Sequence, residues 1–242
     1  MENVRIIGTS HISAESVREI EGYIHKENPG IVAVELDINR YYALQQKRKR
    51  PPFSAIAKVG FTGFIFGLIG YFVEQKMGES VGISPGTEMM HAVKLAKKHK
   101  LQVVFIDQDI EITLRRLTSS LTWKEKWRFV ADIFKGIFSG KKQLKKMGIT
   151  ELDLSKVPEK KIIKKLMGHV KQRYPNVYKV LIKERDAVMA RNILTINSLN
   201  PGIKILAVVG AGHEEGITEI LDKNQQGKID YTFSISMGKP SA

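Results

Sequence analysis

The feature that most constrains this chain is a set of short apolar runs, each ending in a turn and followed by a helix-like pattern. Four of these runs predict buried strands: residues 4–8, 31–36, 101–106 and 204–209. Between the first two, residues 13–25 place Val17, Ile20 and Ile24 on one face of a helix. A β-α-β unit of this kind produces parallel strands with a right-handed crossover. We therefore predict an α/β fold: a central mixed, mainly parallel sheet flanked by helices, with an edge strand at residues 229–235.

The length and composition of the chain fit one domain with two helical additions. It has 242 residues, of which 43% are hydrophobic, so we assign residues 1–242 to a single domain. We predict an apolar helical insertion after the second strand, at residues 41–83, and a basic helical region at residues 122–183. The net charge of +14 indicates an anionic partner. Because the basic clusters carry neither interleaved aromatic side chains nor a nucleic-acid motif, we interpret them as a surface that faces either solvent or an anionic membrane, and we expect no nucleic-acid partner.

Within the insertion, residues 53–73 form a mostly apolar segment with a single charge at Lys58. Its length is sufficient to span a bilayer. A single span would place the start and the end of the chain on opposite sides of the membrane, so we favour a helical hairpin that packs on the domain, on a membrane surface or on a second subunit as a homodimer. The spacing of Gly63 and Gly67 is also typical of membrane helix dimers. No signal peptide is visible, and we expect a cytoplasmic or membrane-associated protein.

The absence of cysteine limits the chemistry that is available. It excludes disulfides, thiolate metal sites and a cysteine nucleophile, so a metal ion would be held by His, Asp or Glu. The sequence contains no serine-hydrolase elbow, no phosphate-binding Walker loop, no dinucleotide fingerprint and no zincin motif.

The strongest chemical signal is a pair of GxxH turns, Gly-Thr-Ser-His at residues 8–11 and Gly-Ala-Gly-His at residues 210–213. Each turn directly follows a predicted buried strand, and open α/β sheets bind their ligands at the carboxyl ends of strands. Imidazole is both a common metal ligand and a common general base. A single loop histidine often only bonds to the backbone, but two in matched positions predict a site that includes His11 and His213.

Acidic residues at the ends of two other strands are further candidates. Burial of the Glu35 carboxylate at the end of an apolar strand is unfavourable unless it pairs with a cation or binds a metal ion. It is a candidate metal ligand or general base; alternatively, it pairs with Arg40 or with a helix terminus. We favour a structural role for Asp37, whereas a helix N-cap and a role in the site are equally good interpretations of Asp109.

Several arginines are candidates for the same cleft. Arg40 and Arg116 are suited to hold a substrate carboxylate or carbonyl oxygen, or to pair with the strand-end acids. Glu184 and Arg185 are adjacent on a predicted helix and cannot face the same direction, so we expect one of them to face the cleft. The remaining histidines lie in basic or amphipathic helical contexts and are interpreted as surface residues: His25, His91, His99 and His169.

Taken in order, six segments of the chain resemble the TraB, or pheromone-shutdown, family, which belongs to a larger grouping with the TIKI, GumN, ChaN and erythromycin esterase proteins. These segments are residues 7–13, 34–40, 85–88, 107–116, 184–186 and 208–217. The resemblance implies an α/β fold with a hydrolase-like cleft. TIKI proteins resemble metal-dependent peptidases that use both GxxH histidines and a glutamate, positions occupied here by His11, His213 and Glu35, and manganese or cobalt is the ion the resemblance implies.

In two respects the resemblance qualifies these expectations. The family often shows Asp-Arg-Asp where residues 107–109 read Asp-Gln-Asp, which puts the role of that arginine in doubt. Prokaryotic members also tend to carry transmembrane helices after this domain, so we expect the full-length protein to have C-terminal transmembrane helices beyond this chain.

Two functions follow as hypotheses. The first is a metal-dependent hydrolase, a peptidase acting on a peptide or protein substrate, with Glu35 as ligand or base and an arginine holding the oxyanion. The alternative is a non-catalytic, membrane-associated module that binds or sequesters peptides. A third reading is a metal-independent, esterase-like hydrolase with His11 as its general base.

Overall fold

A computed structural model of the chain describes residues 2–9, 14–46, 87–128, 131–132 and 160–225. At its centre is a sheet of four strands: β1 (Val4–Thr9), β2 (Ile31–Val34), β3 (Gln102–Phe105) and β4 (Ile205–Gly210). The strand order is β1-β4-β2-β3, and every neighbouring pair is parallel. The predicted α/β fold is therefore confirmed, with a parallel sheet over the described strands. The predicted edge strand at 229–235 lies outside the described residues.

Helices connect and cover the strands. They are α1 (Ala14–Glu27), α2 (Ile38–Gln45), α3 (Thr87–Lys98), α4 (Ile110–Ser120), α5 (Lys160–Arg173), α6 (Pro175–Tyr178), α7 (Arg185–Leu199) and α8 (Ala211–Gln225). A π-helical turn, Lys179–Glu184, leads directly into α7. Residues 123–128 are also helical.

The sheet is the middle of three layers. All four residues of β2 and five of the six in β4 are buried, as expected for central strands covered on both faces. One face packs against α1, α2 and α3, where Ile20, Ile24 and Val93 contribute to the core. The other face packs against α7 and α8 through Ile193 and Ile217.

The topology opens a crevice at the carboxyl edge of the sheet. Strand β4 comes last in the chain but lies between β1 and β2, so Thr9 is paired with Gly210. The helix that follows β1 covers one face, and the helix that follows β4 covers the other. The two connections therefore diverge, and α/β proteins bind ligands at such switch points. Gly8 and Gly210 therefore lie at the carboxyl ends of adjacent strands.

The two predicted helical additions are described only in part. Of the insertion at 41–83, the structure describes residues 41–46, so the apolar segment 53–73 lies outside the described residues. The described parts of the basic region, 122–128, 131–132 and 160–183, are largely helical. Within the part of the chain that the structure describes, no helix has the length and apolar character needed to cross a bilayer.

Glu125 joins two helices of this basic region to each other. Its side chain is buried and accepts hydrogen bonds from the backbone N–H of Thr122 (3.1 Å) and from the Thr122 hydroxyl (3.0 Å). It also accepts from the backbone N–H of Asn176 (3.0 Å) and from the Asn176 side-chain amide (2.7 Å). Burial raises the pKa of Glu125, but these hydrogen bonds outweigh burial and lower it below its ordinary value. One carboxylate thus joins the helix at 123–128 to α6.

Candidate active site

His213 lies in the first turn of α8, immediately after β4, and is only 5% exposed. Its Nδ1 is 2.6 Å from Oδ1 of Asp186, a residue of the first turn of α7 that is 1% exposed. In the neutral imidazole, a proton on Nδ1 would be donated to this carboxylate, which leaves the lone pair on Nε2. The pairing with Asp186 therefore orients the ring so that Nε2 faces Arg185 and Glu35.

Glu35 follows β2 and joins the ends of the two central strands. Its Oε2 accepts a hydrogen bond from the backbone N–H of Gly210 at 2.6 Å, and its Oε1 accepts one from Arg185. Nε2 of His213 lies 3.5 Å from the same Oε1. Burial raises the pKa of Glu35, but electrostatic attraction from the His213 and Arg185 side chains, together with the Gly210 N–H, outweighs burial and holds this pKa below its ordinary value.

Arg185 is the cation at the centre of this arrangement. It forms a two-pronged contact with Asp107, which follows β3: Nε to Oδ1 at 3.1 Å and Nη2 to Oδ2 at 2.6 Å. Its Nη2 also donates to Glu35, and its Nη1 lies 3.0 Å from Nε2 of His213. Burial alone would lower the pKa of Arg185, but the two carboxylates raise it above its ordinary value. We call these five residues the strand-edge network: Glu35, Asp107, Arg185, Asp186 and His213.

Local backbone features bring α7 and α8 to the sheet edge. The π-helical turn ends at the residue before Arg185, and such turns change the direction of the side chains that follow them. Gly216 allows α8 to approach α7, because a Cβ at this position would overlap the Asp186 carboxylate. Gly8 has a similar role in β1, because its Cβ would lie 2.5 Å from Oε2 of Glu214.

The structure brings together three of the residues that the sequence singled out: Glu35, Arg185 and His213. Of the adjacent pair on the predicted helix, Arg185 is the one that faces the site. Glu184 instead pairs with Arg116 through two hydrogen bonds of 2.7 and 3.1 Å in a solvent-exposed position. This ion pair lowers the pKa of Glu184. His11 lies outside the described residues, so its position relative to His213 stays a prediction.

The other two predicted acids cap helices, and the role of the Arg40 side chain stays a prediction. The chain turns after β2, so Glu35 and Asp37 do not share a face: Asp37 caps α2 by accepting from the backbone N–H groups of Asn39 (2.8 Å) and Arg40 (3.0 Å). Burial raises the pKa of Asp37. Asp109 caps α4 and accepts a 2.7 Å hydrogen bond from the Asn39 side chain. The structural interpretation of Asp37 is thus confirmed.

Two members of the network were not predicted as site residues. Asp107 comes two residues after the end of β3, and Glu35 directly follows β2, so the position of Asp107 near the sheet edge was visible in the pattern. Asp186 directly follows Arg185, and neighbouring residues at the start of a helix point in different directions. Because α7 begins above the edge of the sheet, both side chains reach the network.

The described residues do not complete a metal site in this crevice. The family resemblance implies a divalent ion held by His11, His213 and Glu35. His213 Nε2 and Glu35 Oε1 face one another, but Arg185 contacts both and already supplies the positive charge between them. Within the described residues, no third His, Asp or Glu atom joins these two in the close spacing that an ion requires.

Comparison with known proteins identifies the family. A profile of the TraB/PrgY/gumN family matches residues 2–232, nearly the whole chain. The chain belongs to the TraB/PrgY/gumN family. An uncharacterized protein of Methanocaldococcus jannaschii is 37% identical over 240 residues, which cover 98% of this chain and 58% of that protein. A human TraB domain-containing protein is 23% identical over 270 residues, covering 98% of this chain and 66% of its own length. This TraB-family chain thus spans about three-fifths to two-thirds of these relatives.

Proposed function

We propose that this chain is a hydrolase that cleaves peptide or protein substrates at the strand-edge network. The observation that supports the proposal is the environment of His213. One ring nitrogen is held by a buried carboxylate, and the other faces Glu35 and Arg185 at the mouth of the crevice. A histidine oriented in this way by an acid is the arrangement that enzymes use for proton transfer.

Each residue of the network has a role in this proposal. Asp186 keeps the imidazole oriented. When the substrate carbonyl oxygen draws Nη1 of Arg185 away from Nε2 of His213, this nitrogen removes a proton from a water molecule as the water oxygen attacks the scissile carbonyl carbon. The Arg185 guanidinium then stabilises the negative charge that develops on the carbonyl oxygen. His213 then returns the proton to the amine nitrogen as the carbon–nitrogen bond breaks. Glu35 and Asp107 hold Arg185 in place.

A metal-dependent form of the reaction remains part of the proposal. Manganese or cobalt, as the family resemblance implies, would polarise the carbonyl and activate water. This form requires His11 as an additional ligand beside His213 and Glu35. It also requires Arg185 to lose its contact with His213, with Glu35 or with both.

A cleavage assay tests the proposal. The chain would be incubated with a mixture of unstructured peptides, with a chelator or with added Mn²⁺ or Co²⁺, and the products identified by mass spectrometry. We expect cleavage by the wild type, a loss of about 10²-fold or more in His213→Gln, and no change in His169→Gln, an exposed histidine on α5. Absence of cleavage under every condition, or equal rates in the two variants, would refute the proposal.

The same assay decides the dependence on metal. If a metal ion takes part, the chelator abolishes cleavage, the added ion restores it, and His11→Gln is as inactive as His213→Gln. If cleavage persists in the chelator and in His11→Gln, the acid–base form without metal is correct.

One observation favours a second candidate, a peptide-binding module without catalysis. Arg185 is paired with Glu35 and Asp107, so the guanidinium of the network is already engaged by internal carboxylates. The net charge of +14 would attract acidic peptides or an anionic membrane surface. For this candidate we expect saturable binding of fluorescent peptides without cleavage, and flotation with anionic vesicles at low salt. This candidate also predicts a homodimer formed through residues 53–73, which light scattering would detect as twice the mass of one chain.

A further inference from the structure

A second cluster of potential ligands lies away from the strand-edge network, between α1 and α3. Glu21 and His25 are one helical turn apart on α1, and His99 directly follows the end of α3. One ligand atom from each residue lies within 4.8 Å of the others. The rings of His25 and His99 meet edge to face, with centroids 4.8 Å apart and an angle of 87° between their planes.

An unpaired buried atom indicates that this cluster is incomplete. Nε2 of His99 is buried, and it has no hydrogen-bond partner among the described residues. A buried polar atom without a partner costs stability. A cation coordinated by this nitrogen would supply the missing interaction. The edge-to-face contact with His25 is a weaker interaction than a hydrogen bond or a metal–nitrogen bond.

We propose that Glu21, His25 and His99 bind a divalent transition-metal ion of the zinc class. Two imidazoles and one carboxylate are a ligand set that suits zinc, cobalt or nickel, and three protein ligands leave a fourth position for water. Ligand atoms around tetrahedral zinc are about 3.3 Å apart, given bonds of about 2.0–2.1 Å. The proposed site requires side-chain rotations of His25 and Glu21 that bring their ligand atoms from the observed spacing of up to 4.8 Å into this range. The ion would join α1 to α3 on one face of the sheet.

A lysine lies next to the site and competes with the ion. Nζ of Lys98 is 3.7 Å from Oε1 of Glu21, and the lysine side chain is 69% exposed. Long ion pairs between exposed groups contribute little, so an ion can displace this lysine. Removal of the lysine charge should strengthen metal binding, because the lysine repels the ion and occupies the carboxylate.

Zinc titration by calorimetry, together with thermal unfolding, tests the site with zinc as the sole probe. The titrations would use a His213→Gln background, which removes a candidate ligand of the strand-edge network. We expect one zinc equivalent in this background and an increase in Tm. His99→Ala should weaken binding at least tenfold and abolish the increase, whereas the matched variant His169→Ala should retain both.

Two further variants make the test independent of folding defects. Lys98→Ala keeps all three ligands and should bind zinc at least as tightly as the parent chain. His25→Gln should lose zinc binding, and circular dichroism without metal checks that this variant is folded. In an otherwise wild-type chain, His99→Ala should lose one equivalent. Zinc binding that is absent from the His213→Gln background, or that is unchanged by His99→Ala and His25→Gln, would overturn the proposal. Neither result depends on whether the strand-edge network is catalytic.

Discussion

At the residue scale, Glu35 shows how an acid can be buried beside two central strands. Each carboxylate oxygen has its own donor, Arg185 for Oε1 and the Gly210 N–H for Oε2. These contacts stabilise the ionised form and outweigh the cost of burial, so the pKa of Glu35 is lowered. The Glu35 side chain therefore stabilises the sheet edge in its ionised form.

The stability of Glu35→Gln should depend on pH in a defined way. A carboxyl whose pKa is lower in the folded state contributes stability that is present above its unfolded pKa, about 4.3, and is lost as the pH falls through the folded pKa. We expect the variant to be less stable than wild type by about 3 kcal/mol near neutral pH, and this difference to shrink below about pH 4.

Urea unfolding at several pH values between about 7 and 3 measures this difference. Glu219→Gln, an exposed position on α8, is the matched control and should show a small difference at every pH. A difference for Glu35→Gln that stays constant over the whole range would show that its charge does not stabilise the folded state.

Residue patterns predicted where the acids and His213 lie but not which cation they meet. Glu35 and His213 follow buried strands, and parallel strands end at the same edge, so their proximity could be deduced. Arg185 is 150 residues from Glu35 in the chain, and Asp186 is 27 residues from His213. These contacts depend on where α7 begins and on the π-helical turn before it, which single-sequence patterns do not reveal.

At the scale of elements, the four described strands and helix α1 were predicted from apolar periodicity, whereas helix α8 and the π-helical turn were not. The ends of the predicted elements were less accurate. The second strand was predicted to reach residue 36 but ends at Val34, because the Leu36 N–H bonds to the Val34 carbonyl at 2.7 Å and the chain turns. The capping role of Asp37 begins one residue later. The position of this turn depends on which hydrogen bonds the backbone forms, and the periodicity of apolar residues does not reveal them.

The basic region illustrates a polar anchor that no pattern indicated. Its helices were predicted, but the buried carboxylate of Glu125 that joins the 123–128 helix to α6 was not. We expect Glu125→Ala to reduce the free energy of unfolding by about 2–4 kcal/mol, because several buried hydrogen bonds are lost and their donors are left without an acceptor.

Urea unfolding with Lys124→Ala as the control measures the effect of Glu125→Ala. Lys124 is the exposed neighbour on the same helix, and its replacement should change stability by less than about 0.5 kcal/mol. Equal stabilities for the two variants would show that the Glu125 contacts do not anchor this region.

At the scale of the whole molecule, the three-layer arrangement separates two kinds of site. The diverging helices at the carboxyl edge create the crevice that holds the strand-edge network. The candidate metal ligands Glu21, His25 and His99 lie instead on one covered face, where they link two helices. The parallel direction of the strands was predictable from the sequence, because β-α-β units impose it. The position of β4 between β1 and β2 was not predictable and is known only from the structure.

The central claim is that the carboxylate–imidazole pair at this crevice carries out proton transfer, and Asp186→Asn tests it most directly. The substitution preserves the shape of the side chain but removes the charge that orients His213. Steady-state hydrolysis should show kcat reduced by about 10²–10⁴-fold with KM nearly unchanged, while the exposed Asp222→Asn behaves as wild type. Equal kcat values for the Asp186 and Asp222 variants, both folded by circular dichroism, would contradict the account.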